Sequence, residues 1–207
     1  MTPSRRFFRY WIIVFSLVSL CAFAAPAKVE TTDSPSSPSL CDKKTWAVPL
    51  SKTGLPNLHK VSEDLYRGAQ PTAAGFRQLK AMGIKTIINL RSAHSDITLM
   101  QGLIFSYEPI PTNAWDMDEK EIVRFLRIVT DKNKTPVFVH CQHGADRTGV
   151  MCAVYRIAVC GWSREEAIEE MTKGGFGFHK LWNNLVLRVR NLDIEKLKRK
   201  AGLPKTQ

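Results

Sequence analysis

Hydrophobic and polar positions between residues 64 and 192 follow two alternating patterns. Short apolar runs, typical of buried strands, occur at Asp64–Gly68, Lys85–Leu90, Phe105–Pro109 and Pro136–Val139. Apolar residues at helical spacing predict helices at Thr72–Met82, Asp96–Gly102, Asp118–Val129, Arg164–Lys173 and Leu181–Leu192, and one more from Thr148 onward. Strands that alternate with helices predict an α/β domain whose central, mostly parallel sheet is covered by helices on both faces.

Capping signals locate several ends of the predicted helices. Asp118 with Glu121, and Ser163 with Glu166, have the spacing of a capping box, in which each side chain binds the other residue's main-chain N–H. A run of glycines, GGFG at residues 174–177, follows the Arg164–Lys173 helix and should end it. The boundaries of these two helices are therefore the best defined in the chain.

Polar and reactive side chains concentrate between the last strand and the helix that follows it, in HCQHGADRTG at residues 140–149. This segment places Cys141 and Arg147 six positions apart on one turn. Main-chain N–H groups of a strand–loop–helix can all face one anion, and the helix N-terminus adds a positive dipole end. The planar guanidinium of Arg147 can bind two oxygens at once. The segment predicts a phosphate-binding loop that holds a phosphoryl group over Cys141.

The same residues predict a reaction. A helix N-terminus and a nearby guanidinium favour a thiolate, so we expect Cys141 to be the nucleophile that forms a phosphocysteine intermediate, which water then hydrolyses. Arg147 and the loop N–H groups would hold the charge on the phosphoryl oxygens, and Thr148 would donate to the Cys141 sulfur. We expect no metal and no cofactor. The predicted substrate-binding residues are Gln142, His143, Gly144, Ala145, Asp146 and Arg147.

The His-Cys pair, followed after five residues by Arg147 and Thr148, resembles the signature of the cysteine-based protein tyrosine phosphatase superfamily. Leu65–Ser92 (LYRGAQPTAAGFRQLKAMGIKTIINLRS) is similar to the amino-terminal half of compact dual-specificity phosphatases, including exported bacterial members. The resemblance implies a three-layer phosphatase domain over residues 57–193. It also implies hydrolysis of phosphotyrosine, and of phosphoserine and phosphothreonine, in proteins. The alternative is a phosphatase of phosphoinositides, inositol phosphates or lipid head groups that uses the same cysteine.

Such a phosphatase needs a general acid that protonates the leaving oxygen. Asp116 is the first candidate, because it lies in a loop beside Trp115, as the acid does in many relatives. Asp146 inside the loop is the second, since some lipid-directed relatives carry an acid there. An alternative role for Asp146 is pairing with a lysine or with Arg147, and Asp118 is better explained as a helix cap. His179 could line the site or cap the next helix.

Length and charge limit the partners that we consider. With 207 residues and 44% hydrophobic content, the chain can build one core of ordinary size. The formal net charge of +11 suits an anionic substrate or an anionic membrane surface. The basic residues do not alternate with aromatic ones as in nucleic-acid-binding surfaces, so we expect no nucleic-acid partner. The expected partner is a phosphorylated protein, either free or associated with a membrane.

The amino terminus has the features of an export signal. Arg5, Arg6 and Arg9 precede an apolar stretch at Trp11–Leu20, and Ala22-Phe23-Ala24 is a small-residue cleavage pattern. We therefore expect a signal peptide at residues 1–24 and a periplasmic or secreted bacterial protein. An uncleaved membrane anchor is the less favoured alternative. Residues 25–56 are predicted to be a Ser/Pro-rich linker and extension, and residues 194–207 a basic tail.

Four cysteines remain after the predicted cleavage, and export would favour their oxidation. Cys152 and Cys160 lie eight residues apart on one predicted helix, roughly 12 Å at the rise of an α-helix, which is beyond the reach of a disulfide. We expect both to be core residues. Cys41 in the linker could meet any exposed thiol, so reversible oxidation of Cys141 is a hypothesis.

Overall fold

The computed structural model describes residue 41 and residues 44–113 and 117–204. A six-stranded sheet runs through this part of the chain. Its strands are β1 (Val48–Pro49), β2 (His59–Lys60), β3 (Leu65–Gly68), β4 (Thr86–Asn89), β5 (Ser106–Pro109) and β6 (Val137–His140). Their order is β1-β2-β3-β6-β4-β5; the last four are mutually parallel, and β1 and β2 are antiparallel additions at one edge.

Helices cover both faces of the sheet. They are α1 (Ala73–Ala81), α2 (Glu119–Val129), α3 (Asp146–Ala158), α4 (Arg164–Lys173), α5 (Asn183–Asn191) and α6 (Ile194–Ala201), with a 3-10 turn at Lys180–Trp182. Side chains alternate along β6: Phe138 packs with α1, whereas Val137 and Val139 join the larger core shared with α2 to α6. The predicted α/β architecture with a mostly parallel central sheet is confirmed.

The predicted capping boxes are present. Ser163 Oγ accepts from the main-chain N–H of Glu166 at 3.1 Å, and Glu166 accepts from that of Ser163 at 2.7 Å. Glu121 accepts from the main-chain N–H of Asp118 at 3.0 Å. The helix α4 has the predicted bounds, and α2 begins directly after its cap.

Three helix predictions need correction. Residues 96–102 form turns and no helix, because seven residues nucleate poorly on their own and the Asp96 side chain is engaged elsewhere. The segment expected as one helix from Leu181 to Leu192 is a 3-10 turn followed by α5, which ends at Asn191. The helix expected from Thr148 starts two residues earlier, at Asp146.

The packed region is longer than residues 57–193 at both ends. Strand β1 and the buried Ala47 lie before Asn57. After residue 193, the helix α6 packs against α2 and α3 through buried Ile194 and Leu197. Most of the predicted basic tail is therefore a helix of the domain, in which Arg199 and Lys200 are exposed whereas Lys198 is buried with the apolar residues.

The extension before the sheet is joined covalently to the turn that follows α3. Cys41 forms a disulfide with Cys160, with 4.9 Å between the Cα atoms. Cys160 packs against the core as expected, but it is half-buried and cross-linked, whereas Cys152 is a free, buried core residue whose pKa is raised to about 11 by burial. Cys141 is also free, so Cys41 is not paired with it.

A buried ion pair holds the same extension. Arg156 on α3 donates to both carboxylate oxygens of Glu170 on α4, at 2.7 and 2.8 Å. Arg156 also donates to the carbonyl of Thr45, and Glu170 accepts from the main-chain N–H of Ala47. The guanidinium stacks 4.2 Å from the ring centroid of Trp162, which is buried.

Three sequence predictions concern residues outside the described part of the chain: the signal peptide at residues 1–24, the linker as far as residue 40, and the loop residue Asp116. Among the residues that are described, no helix is both long and apolar enough to cross a membrane.

Candidate active site

The loop between β6 and α3 closes tightly against the neighbouring strand. Gly144 has a φ of +70°, a conformation that glycine adopts without steric cost. A Cβ atom at this position would lie 2.4 Å from the carbonyl carbon of Gly68 at the end of β3. Glycine is therefore required here for both conformation and space, and its presence lets the loop turn back over Cys141.

A buried arginine supports the loop from behind. Arg67 on β3 is almost fully buried, and its Nη2 donates to the carbonyl of Gly144 at 2.7 Å. Its guanidinium also stacks 3.7 Å from the ring centroid of Phe176. The sequence analysis did not identify this residue, although an arginine inside an apolar strand pattern is a signal that could have found it, because charged residues are seldom fully buried without a role.

The first residue of the loop is held by a buried carboxylate. His140 Nε2 lies 2.9 Å from Asp96 Oδ2, and neither side chain is exposed. Gln70 donates to the other oxygen of Asp96 at 2.7 Å. Burial acts to raise the pKa of Asp96, but the hydrogen bonds and charge of His140, together with Gln70, outweigh it and hold that pKa below its usual value. His140 is thereby fixed beside Cys141.

Cys141 lies in a cavity of about 360 Å³, within the usual range of ligand pockets of roughly 300–1,000 Å³. The side chain of Cys141 is free and only 3% exposed. Arg147 lines the same cavity and donates from Nη1 to the carbonyls of Leu90 and Thr112, both at 3.3 Å. The cavity-lining residues are Cys141, Gln142, His143, Asp146, Arg147, His179, Leu181 and Trp182.

The structure brings together most of the predicted binding residues. Gly144 and Ala145 belong to the loop but do not line the cavity; their carbonyls face Arg67. Thr148 is fully buried, and its hydroxyl has no hydrogen-bond partner within the described ranges, so the expected bond to the Cys141 sulfur is not formed here. That bond stays a prediction.

Asp146 pairs with a histidine and with neither of the partners considered from the sequence. Its Oδ1 accepts from the main-chain N–H of His179 at 3.0 Å, and its Oδ2 lies 2.8 Å from His179 Nδ1. The His179 ring lies 5.6 Å from that of His143. His179 therefore both lines the cavity and precedes the 3-10 turn that carries Leu181 and Trp182. Trp182 packs on the core and also lines the cavity.

Known proteins share this sequence and this fold. A family profile described as "DSP-PTPase phosphatase fused to NAD+ Kinase" matches residues 47–186. The dual specificity protein phosphatase TpbA of Pseudomonas aeruginosa (strain UCBPP-PA14) is 31% identical over 191 residues, which cover 91% of this chain and 84% of TpbA. The chain belongs to the dual-specificity protein phosphatase family. It is therefore a phosphoric monoester hydrolase, as its signature loop led us to expect.

Two further relatives bear on the substrates of this dual-specificity phosphatase. The crystal structure of P. aeruginosa TpbA, as a Cys-to-Ser variant in complex with phosphotyrosine, aligns with a TM-score of 0.68 and 31% identity, over 76% of this chain and 96% of that one. The inositol diphosphatase DSP5 of Arabidopsis thaliana is 28% identical over 155 residues, covering 69% of this chain and 72% of DSP5. The relatives thus include one that binds phosphotyrosine and one that is named an inositol diphosphatase.

Proposed function

We propose that this phosphatase hydrolyses phosphotyrosine in proteins, with phosphoserine and phosphothreonine as further substrates, through a phosphocysteine on Cys141. The observation that carries the proposal is the free Cys141 in a cavity bounded by Arg147 and by the first turn of α3. The thiolate forms an S–P bond while the bond from phosphorus to the tyrosyl oxygen breaks. Water then breaks the S–P bond, releasing phosphate and the thiolate.

Arg147 has the role of binding two phosphoryl oxygens in this mechanism. Its guanidinium is already oriented by the carbonyls of Leu90 and Thr112 at the cavity wall. Loop N–H groups and the N-terminus of α3 would stabilise the remaining charge as the transition state forms. Thr148 would support the leaving thiolate in the second step.

Asp116 is the proposed general acid. Both carboxylate oxygens of its rival, Asp146, are engaged by His179, one by the main-chain N–H at 3.0 Å and the other by Nδ1 at 2.8 Å. These contacts direct the Asp146 carboxylate towards His179. This arrangement supports Asp116, because the first step requires an acid that is directed at the leaving oxygen.

The second candidate function is hydrolysis of phosphoinositides, inositol phosphates or lipid head-group phosphates by the same cysteine. The similarity to the inositol diphosphatase DSP5 and the net charge of +11 favour it. Such substrates carry several negative charges, which a basic surface attracts. An anionic membrane surface would be attracted in the same way.

The protein is proposed to be exported, with cleavage after Ala24 and with a retained anchor as the alternative. The disulfide between Cys41 and Cys160 supports an oxidising compartment such as the periplasm, since disulfides are rare in reducing ones. Fractionation of cells, followed by amino-terminal sequencing of the purified protein, tests this assignment. Cytoplasmic recovery of the uncleaved chain would contradict it.

The test of function compares a phosphotyrosine peptide, a phosphothreonine peptide and a phosphoinositide, each with chelator present. The proposed chemistry needs no metal, so the chelator should leave the rates unchanged. We expect peptide turnover to vanish in Cys141→Ser and to fall steeply in Asp116→Asn. Preferred turnover of the phosphoinositide would move the assignment to the second candidate, and full activity of Cys141→Ser would contradict both.

A further inference from the structure

One wall of the catalytic cavity is built by residues 179–182, which we call the wall segment. It follows α4 and a glycine-containing turn, and it carries Leu181 and Trp182 into the cavity that contains Cys141. The Leu181 side chain is 92% exposed. A single exposed leucine is ordinary on a protein surface, but this one lies on the wall of a reactive site.

The wall segment is fixed relative to Cys141 by Asp146. The carboxylate accepts from the main-chain N–H of His179 and pairs with its ring, so that both His179 groups are oriented at once. Asp146 itself lies in the first turn of α3, five residues after the nucleophile. A single carboxylate therefore connects the first turn of α3 to the wall segment.

A second contact holds the residues just before the wall segment. Phe176 is buried beneath the Arg67 guanidinium, which also supports the phosphate loop. Gly175 and Gly177 on either side have φ values of +81° and +78°, and a Cβ at either position would meet no atom within 4 Å. These two glycines thus let the chain turn on either side of Phe176.

We propose that the wall segment is a subsite for the phenyl ring of phosphotyrosine, and that Asp146 is its positioning residue and no proton donor. The inference rests on the proposed function, because the phosphoryl group must lie over Cys141. The ring would then extend outward along the other side chains that line this cavity, His143, Leu181 and Trp182. Apolar and aromatic contacts with the ring favour phosphotyrosine over shorter phosphorylated side chains.

Leu181→Ala tests the subsite, with Leu187→Ala as the matched control. Leu187 is on α5, is 55% exposed and does not line the cavity. Since contact with the ring buries about half of a leucine side chain, we expect kcat/KM for a phosphotyrosine peptide to fall about fivefold in Leu181→Ala, mainly through KM. Competitive inhibition by inorganic phosphate, which carries no ring, should be unchanged.

The result that would overturn the subsite is an equal weakening of peptide turnover and phosphate inhibition in Leu181→Ala, or an equal loss in Leu187→Ala. These outcomes leave the proposed function intact, because that function is tested separately by the loss of all turnover in Cys141→Ser. Full activity of Cys141→Ser would contradict both the proposed function and the subsite.

Asp146→Asn tests the positioning role, because it removes the carboxylate charge and leaves one acceptor oxygen where both His179 groups now contact a carboxylate. This variant should show the same selective loss of kcat/KM for the phosphotyrosine peptide as Leu181→Ala. In the double variant, the fold-loss should be smaller than the product of the two single fold-losses, since both substitutions act through the wall segment. If Asp146 only positions the wall segment, wild type and Asp146→Asn should hydrolyse a series of aryl phosphates with the same dependence of kcat on the pKa of the leaving phenol. A steeper response in Asp146→Asn would show that Asp146 donates the proton, and multiplicative losses would show that it acts apart from the wall.

Discussion

At the scale of single residues, the phosphate loop depends on side chains that are distant in sequence. Arg67 donates to Gly144 across 77 positions, His140 meets Asp96 across 44, and Asp146 meets His179 across 33. The sequence pattern identified Cys141 and Arg147 because they lie within one turn. It could not predict how the supporting residues pair, because side-chain partners this far apart in sequence are decided by the packing of the whole sheet.

Gly144→Ala is predicted to abolish most of the activity, because its Cβ would lie 2.4 Å from the Gly68 carbonyl carbon and push the loop away. We expect a fall in kcat/KM of at least about 100-fold, as small misplacements of reacting groups cost this much. Gly161→Ala is the control: its φ of +68° is similar, but a Cβ there meets no atom within 4 Å. It should lose only about 1–2 kcal/mol of unfolding free energy and keep its activity. Equal activity losses in both variants would contradict this explanation.

At the scale of elements, the strand–loop–helix of β6 and α3 was predictable, whereas the turns at residues 96–102 and the 3-10 turn at Lys180–Trp182 were not. Strands β3 to β6 and the helices α1, α2 and α4 follow from periodicity and capping signals that are local in sequence. Residues 96–102 also carry a helical pattern, yet the side chain of Asp96 binds His140 and Gln70, and the segment forms turns. A tertiary contact overrides the local preference in this case.

The pairing of Asp96 with His140 predicts how stability depends on pH. The pKa of Asp96 is lower in the folded protein than in the unfolded chain, whose value is about 3.9. Its contribution to stability is therefore complete above that value and is lost as the pH falls through the folded-state pKa. Urea unfolding should show Asp96→Asn to be less stable than wild type at pH 6, with a difference that narrows in strong acid. A difference that is constant or widens with acid would contradict the assignment.

At the scale of the whole molecule, the disulfide joins the extension before the sheet to the end of the helix that begins at the phosphate loop. Cys41 and Cys160 are 119 positions apart, and the buried pair of Arg156 and Glu170 holds the same extension. Pattern analysis treated residues 25–56 as a linker because their composition is polar and rich in proline. It missed this attachment because cysteine pairing is not encoded in local composition.

Removal of this disulfide is predicted to destabilise the fold while leaving the chemistry intact. Cross-linking a loop of about 100 residues stabilises a protein by roughly 2–5 kcal/mol, mostly through the unfolded state. Cys160→Ser should lower the free energy of unfolding by this amount, and reductant should lower that of wild type equally. The variant itself should not respond to reductant, and kcat at 25 °C should be unchanged. A stability of wild type that is insensitive to reductant would contradict the prediction.

The most direct test of the account is a search for the phosphoryl group on Cys141 during turnover. A phosphotyrosine peptide labelled in its phosphate is mixed rapidly with the enzyme, quenched within milliseconds and digested for peptide mapping. The account predicts label on the peptide that contains Cys141, released by longer incubation and absent in Cys141→Ser. Turnover of the peptide with label on another residue, or with undiminished label in Cys141→Ser, would contradict the assignment of Cys141 as the nucleophile.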